Sequence, residues 1–160
     1  MEPLTLTRVA TEAHTPAVTL DELYHKDVLR LAARASGAGR LPAPAATVTL
    51  NNPICGDQVT VDVVCKGARI SDVAFDVKAC VLCQASASIL GESAPSETPQ
   101  ALAELSQALG AMLKENAAPP RGKFAAYAAL APVAAHPSRH TCVLLPLEAL
   151  REALACCAAA

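Results

Sequence analysis

Aromatic side chains are nearly missing from this 160-residue chain, which has two tyrosines, two phenylalanines and no tryptophan. Binding to single-stranded nucleic acid relies on stacking bases against such rings, so that role is a poor fit. A basic stretch is missing too. The 13 basic and 15 acidic residues are spread along the chain and leave a net charge of -2, which speaks against electrostatic binding to nucleic acid. No run of 18 apolar residues occurs, and the opening MEPLTLTRVATEAHTP has no basic region followed by an apolar block. Neither a membrane span nor a secretory signal is expected, and the expected location is cytoplasmic.

What the chain does have is alanine, 35 residues of it, beside 49 larger apolar residues, enough for one medium-sized domain. It also has seven cysteines. An odd count with no secretion signal favours metal or thiol chemistry over a disulfide framework.

Residues 1–18 are rich in Thr, Ala and Pro without periodicity and read as a tail or an added edge segment. At Thr19 a capping box, Thr-Leu-Asp-Glu, opens a helix in which Leu20, Tyr24, Val28, Leu31 and Ala35 recur at spacings of three and four, to a stop near Ser36-Gly37. Gly37, Gly39, Pro42 and Pro44 make a linker. Alternation then takes over: Val48 and Leu50, next Val59, Val61, Val63 and Cys65, then Val73, Phe75 and Val77 predict three antiparallel strands. A small-residue helix follows from Ala79 to Glu92, and Thr98-Pro99 caps a clearer one to about Asn116. Beyond Pro119-Pro120, a short helix is expected over Phe124 to Leu130. A loop bounded by Pro132 and Pro137 and a last helix carrying Leu147, Leu150 and Leu154 complete the chain. Strands followed by segregated helices mean α+β: a three-stranded antiparallel sheet covered by helices, one domain over 19–157.

Three cysteines fall at breaks between elements. Cys55 lies in the turn Asn-Asn-Pro-Ile-Cys-Gly-Asp, where Gly56 lets the backbone bring Cys55 and Asp57 to one side. Cys80 falls at a helix N-terminus, where exposed amides favour its thiolate. Cys142 follows the loop His136 to Thr141, near another helix start. Three thiols and a carboxylate suit a tetrahedral zinc or an iron-sulfur site. Cys65, in the inward-facing strand series, and Cys156 and Cys157, at the end of an alanine-rich helix, are assigned to packing or to no role. Cys83 makes a Cys-x-x-Cys pair with Cys80 and is either packing or a functional neighbour, with a disulfide oxidoreductase as the reading it would support. His14 and His25 read as solvated surface, His140 as an alternative ligand or proton acceptor, and Ser86 and Ser88 as tight helix packing.

The segments LNNPICGD, ACVLCQASASILGE and RHTCVLLPLEALREAL resemble the three signature regions of the U-type iron-sulfur cluster assembly proteins, the IscU, SufU and NifU N-terminal domain family. The long spacing from Cys80 to Cys142 resembles the SufU type most. The resemblance implies one shared site at Cys55, Asp57, Cys80 and Cys142 that holds zinc or a [2Fe-2S] cluster. It also implies Cys55 as sulfur acceptor, a cysteine desulfurase as donor, and downstream proteins that take the cluster or sulfur. Any enzymatic role is then at most that of a persulfide transferase acting with the desulfurase. Against the family pattern the chain has Ala79 where glycine is usual and Thr141 where a basic residue or histidine is usual, departures compatible with a zinc-stabilised interaction module that has lost sulfur transfer.

Overall fold

The computed structural model describes residues 20–159; the predicted tail over 1–18, the Thr19 cap and His14 lie outside them. The elements run α1 (Leu20–Leu23), α2 (Lys26–Arg34), β1 (Ala46–Asn51), β2 (Gln58–Lys66), β3 (Arg69–Lys78), α3 (Val81–Ser93), α4 (Pro99–Glu115), a 3-10 helix (Gly122–Ala135), a 3-10 turn (Pro137–Arg139) and α5 (His140–Ala159).

The alternating segments form one antiparallel sheet in the order β1-β2-β3, with Val61 paired to Val48 on one side and to Phe75 on the other. Val59, Val61 and Val63 are buried as a row on the inner face, because successive side chains of a strand point to opposite faces. α5 lies across β1 and β2, while α3 packs on β3 and α5. The linker is pinned as an extra edge segment: the amide of Gly39 donates to Phe75 O at 2.9 Å, and the amide of Phe75 donates to Gly37 O at 2.8 Å. On the outer face the linker is clamped again, since Asp62, fully buried, accepts two bonds from Arg40, one from the Leu41 amide and one from Thr47.

The sequence pattern is corrected in three places. The first helix is broken in two at Tyr24-His25. His25 is not solvated surface: its Nδ1 caps α2 by accepting the Asp27 amide, and its Nε2 donates to Ala129 O at 2.8 Å. The short helix expected over Phe124 to Leu130 is a 14-residue 3-10 helix that runs through Pro132, so Pro132 does not begin a loop. The reason is a period of three residues and not 3.6: Phe124, Tyr127, Leu130 and Val133 recur every third residue and are all buried. With three residues per turn they share one face, and the alanines between them tolerate the tight winding. Finally, the predicted loop after Pro137 is mostly helical, with the 3-10 turn leading straight into α5.

Candidate metal centre

The loop between β1 and β2 is built around Asn52, which is buried. Its amide donates to Asp57 O, its carbonyl accepts from Gly56, and its side-chain oxygen accepts the amide of Ile54 at 3.1 Å. Gly56 takes φ +75, a conformation an L side chain rarely adopts. This holds Asp57 inward, 4% exposed, and turns Cys55 and Ile54 to solvent, Ile54 being 92% exposed.

Cys80 is the N-cap residue of α3, in extended backbone just after β3. Its amide donates to one oxygen of Asp57 at 3.1 Å, and its thiol donates to the other at 3.6 Å. Cys142 comes from the first turn of α5 and is fully buried. Pro146, four residues on, has no N–H to give the Cys142 carbonyl, so the turn that carries this thiol is less firmly tied to the rest of α5. Behind the turn, Ser86 donates to Val143 O at 2.6 Å and shares a hydrogen bond with the Tyr127 hydroxyl. Ser86 is therefore a packing residue, as its small-residue surroundings suggest, and Ser88 accepts the Ser36 amide in the same manner.

The ligand atoms of Cys55, Asp57 and Cys142 all lie within 4.8 Å of one another, and Cys80 joins them through its bonds to Asp57 and Cys142. Three donors from two distant stretches of chain thus converge, and Cys80 stands beside them against Asp57 without itself lying within that distance of all three. The two inner thiols are not alike. A hydrogen bond from Cys142, reinforced by the amides of Cys83 and Leu82 at the start of α3, pulls Cys80 down to about 7 against the cost of burial. The same hydrogen bond, with burial, pushes Cys142 up. Cys80 is thus the more acidic of the two inner thiols.

Cys83 is buried, and burial followed by the nearby Asp57 and Cys80 charges pushes its thiol well up. It packs behind the centre as a neutral thiol. His140 stands apart from the ligand group, its Nε2 directed at Ala134 O at 3.2 Å. The basic residue closest before Cys142 is Arg139, three positions ahead of it and not at Thr141. The nearby Tyr24 foremost, with Cys142, pushes the Arg139 guanidinium further up. The available signal was the three-residue spacing that places two side chains on one helical face.

The family model for the NifU-like N-terminal domain matches residues 23–143. The iron-sulfur cluster assembly scaffold protein IscU of Streptococcus pyogenes serotype M1 is 30% identical over 135 residues, spanning 84% of each chain. The crystal structure of the N-terminal part of a nitrogen-fixing NifU-like protein from Brucella abortus superposes with a TM-score of 0.83 at 32% identity, over 87% of this chain and 96% of that one. A protein described as an iron-sulfur cluster assembly scaffold for the SUF system, from Fervidobacterium islandicum AW-1, shares the fold at a TM-score of 0.76 and 24% identity, over 85% of this chain and 99% of that one. Matched by that family model over residues 23–143 and by a relative 30% identical over 84% of its length, this chain belongs to the NifU-like N-terminal domain family, the U-type iron-sulfur cluster assembly proteins that its motifs resemble.

Proposed function

We propose that this protein accepts sulfur on Cys55 from a cysteine desulfurase in the cytoplasm and uses it at a centre formed by Cys55, Asp57, Cys80 and Cys142. The observation that supports this reading is the contrast among the ligand thiols: Cys55 is exposed at a loop tip, while its partners Asp57 and Cys142 in the same group are buried.

The donor set suits the groups the resemblance implies. Three sulfurs and one carboxylate oxygen complete a tetrahedral zinc site, and the same thiolates suit a [2Fe-2S] cluster carried as cargo. Zinc, when bound, supplies the positive charge that keeps the cysteine ligands ionised. The remaining work is done by the chain. Asp57 is held by the Cys80 amide through one oxygen, so it offers the other as a hard, weak and exchangeable donor among soft ones. Cys80 and Cys142 stay anchored in helix termini. Cys55, on a loop, is the ligand free to leave and attack the outer sulfur of the donor's persulfide: a new S–S bond forms at Cys55, the donor's S–S bond breaks, and the donor cysteine leaves as thiolate.

The deciding experiment combines anaerobic purification with metal and acid-labile sulfide analysis, then incubation with a cognate desulfurase and cysteine. Zinc without colour supports sulfur relay; iron with sulfide supports a scaffold. One extra sulfur is expected on the protein, and Cys55→Ser is expected to abolish it. His140→Ala is expected to slow loading and leave metal binding intact, since His140 can fill the vacated position only by giving up Ala134. A Cys55→Ser variant that loads at the normal rate, with the sulfur mapped to Cys83 or Cys142, overturns the assignment. A protein that unfolds on zinc removal and never gains sulfur is the interaction module instead.

A further inference from the structure

Three elements meet behind the metal centre at a pair of buried hydroxyls. Ser86 lies in the second turn of α3, the helix that Cys80 opens, and is fully buried. Its Oγ donates at 2.6 Å to the carbonyl oxygen of Val143, the residue after Cys142 in α5. With that proton committed, the 2.9 Å contact between the Ser86 and Tyr127 hydroxyls runs from Tyr127 to Ser86. Tyr127 belongs to the 3-10 helix and is fully buried as well. The turn of α5 that receives this chain of bonds lacks an ordinary tie of its own. Pro146 has no N–H to offer the Cys142 carbonyl, and a proline ring crowds the carbonyl four residues before it. Ser86 attaches at the very next carbonyl. Cys142 is the member of the ligand group that α5 contributes, within 4.8 Å of the donor atoms of Cys55 and Asp57. Metal–sulfur distances hold to within about 0.2 Å, so whatever fixes this turn also fixes the centre.

We propose that Ser86 and Tyr127 are positioning residues for the metal centre: the bonds from Tyr127 to Ser86 and from Ser86 to Val143 hold the Cys142 turn at ligand distance, so that Cys142 keeps the metal when Cys55 leaves. This role rests on the ligand set proposed for Cys55, Asp57, Cys80 and Cys142, and it adds to the packing of Ser86 in its small-residue helix. Because α3 opens with Cys80 and α5 carries Cys142, the Ser86 hydroxyl is a rigid strut between the supports of two thiols. Tyr127 acts one step further out. Its hydroxyl orients the Ser86 oxygen, and its ring fills the space between the 3-10 helix and α3. Ser88 supplies the internal contrast. It lies on the same helix, equally shielded from solvent, but accepts the Ser36 amide at 3.2 Å and so ties α3 to the first linker and not to α5.

The test loads the full chain with zinc and times its transfer to a chelating dye, and records the absorption spectrum of the same chain loaded with cobalt(II). Ser86→Ala is expected to release zinc roughly 10-fold faster, the low end of what losing a supporting hydrogen bond costs a metal site, and to shift the cobalt bands. Tyr127→Phe keeps the ring and should give the same spectral shift with a smaller gain in rate. The double variant should release no faster than Ser86→Ala alone, because Tyr127 acts through Ser86. Ser88→Ala is the control: it loses a buried hydrogen bond and melts earlier, yet should keep the wild-type release rate and cobalt spectrum. Ser86→Ala with an unchanged rate and spectrum, or Ser88→Ala speeding release equally, overturns the positioning role. Should Ser86→Ala fail to fold, Tyr127→Phe decides by the same two readouts. A wild-type chain that takes up neither metal, or whose cobalt spectrum lacks sulfur-to-metal charge transfer, overturns the ligand set itself and the positioning role with it.

Discussion

One oxygen of Asp57 accepts the backbone amide of Cys80 at 3.1 Å while the other meets the Cys80 sulfur at 3.6 Å. A single carboxylate therefore joins the β1–β2 loop to the start of α3 and also faces the thiols of the centre. One oxygen thus carries structural support, and the other is the one that the proposed metal ligation would use.

That division separates two substitutions. Asp57→Ala removes both functions and is expected to lower stability by about 1–3 kcal/mol, the range for a lost buried hydrogen bond to a charged group. Asp57→Asn keeps an acceptor for the Cys80 amide and is expected to lose much less. Both variants lack the exchangeable carboxylate, so bound metal or cluster should pass to a chelator more slowly in each. Denaturant unfolding and chelator transfer check the two limbs, and unchanged transfer rates in both variants would falsify the ligand role of Asp57.

The Cys80 and Cys142 pair sets a pH dependence. The Cys80 pKa is lowered to about 7, so in metal-free protein its thiolate accumulates as pH rises through that value. Alkylation of Cys80, followed by peptide-resolved mass spectrometry, should show a midpoint near pH 7, with Cys83 and Cys142 lagging well behind. Cys142→Ala removes the hydrogen-bond donor and should move the Cys80 midpoint upward.

Gly91 marks where α3 and the first linker touch backbone to backbone. A side chain there would collide with the Ser36 carbonyl, and one at Gly37 would come within 2.9 Å of Gly91 Cα. Gly91→Ala is expected to cost about 1–3 kcal/mol through forced displacement of the linker. Gly110, in the middle of α4 with open space around it, is the control: Gly110→Ala should stabilise by about 0.5–1 kcal/mol through helix propensity. Thermal unfolding of the two variants should move in opposite directions.

The clamp on the outer sheet face predicts an acid-sensitive contribution. Asp62 is fully buried, and its hydrogen bonds with Arg40 hold its carboxyl below the usual carboxylate range. A folded pKa below the unfolded value means the contribution is complete above the unfolded pKa of about 3.9 and is lost as pH falls through the folded one. Arg40 is half-exposed, so solvent screening should keep the cost of Arg40→Ala at neutral pH small. The stability gap between the variant and the native chain should close in that acid range; a gap that persists below it would show that Arg40 acts through packing of its stem.

Much of this molecule could be read from local chemistry. Alternating Val48, Val61 and Phe75 gave the sheet, Thr98-Pro99 gave the start of α4, and Cys55, Cys80 and Cys142 each fall at a break where a loop or helix terminus presents a thiol. These features depend on residue spacing and capping, which act over a few positions. Where the pattern misled, the deciding partner was remote: Ala129 recruits the ring of His25 and helps split the first helix, and the buried row from Phe124 to Val133 follows a three-residue period set by packing. The sequence by itself determined the order of elements and which thiols stand at their ends. Only the tertiary structure decided that Asp57 accepts the Cys80 amide, that Cys142 comes within reach of Cys55 and Asp57, and that Ser86 bridges Tyr127 and Val143, because each depends on the distance between atoms far apart along the chain.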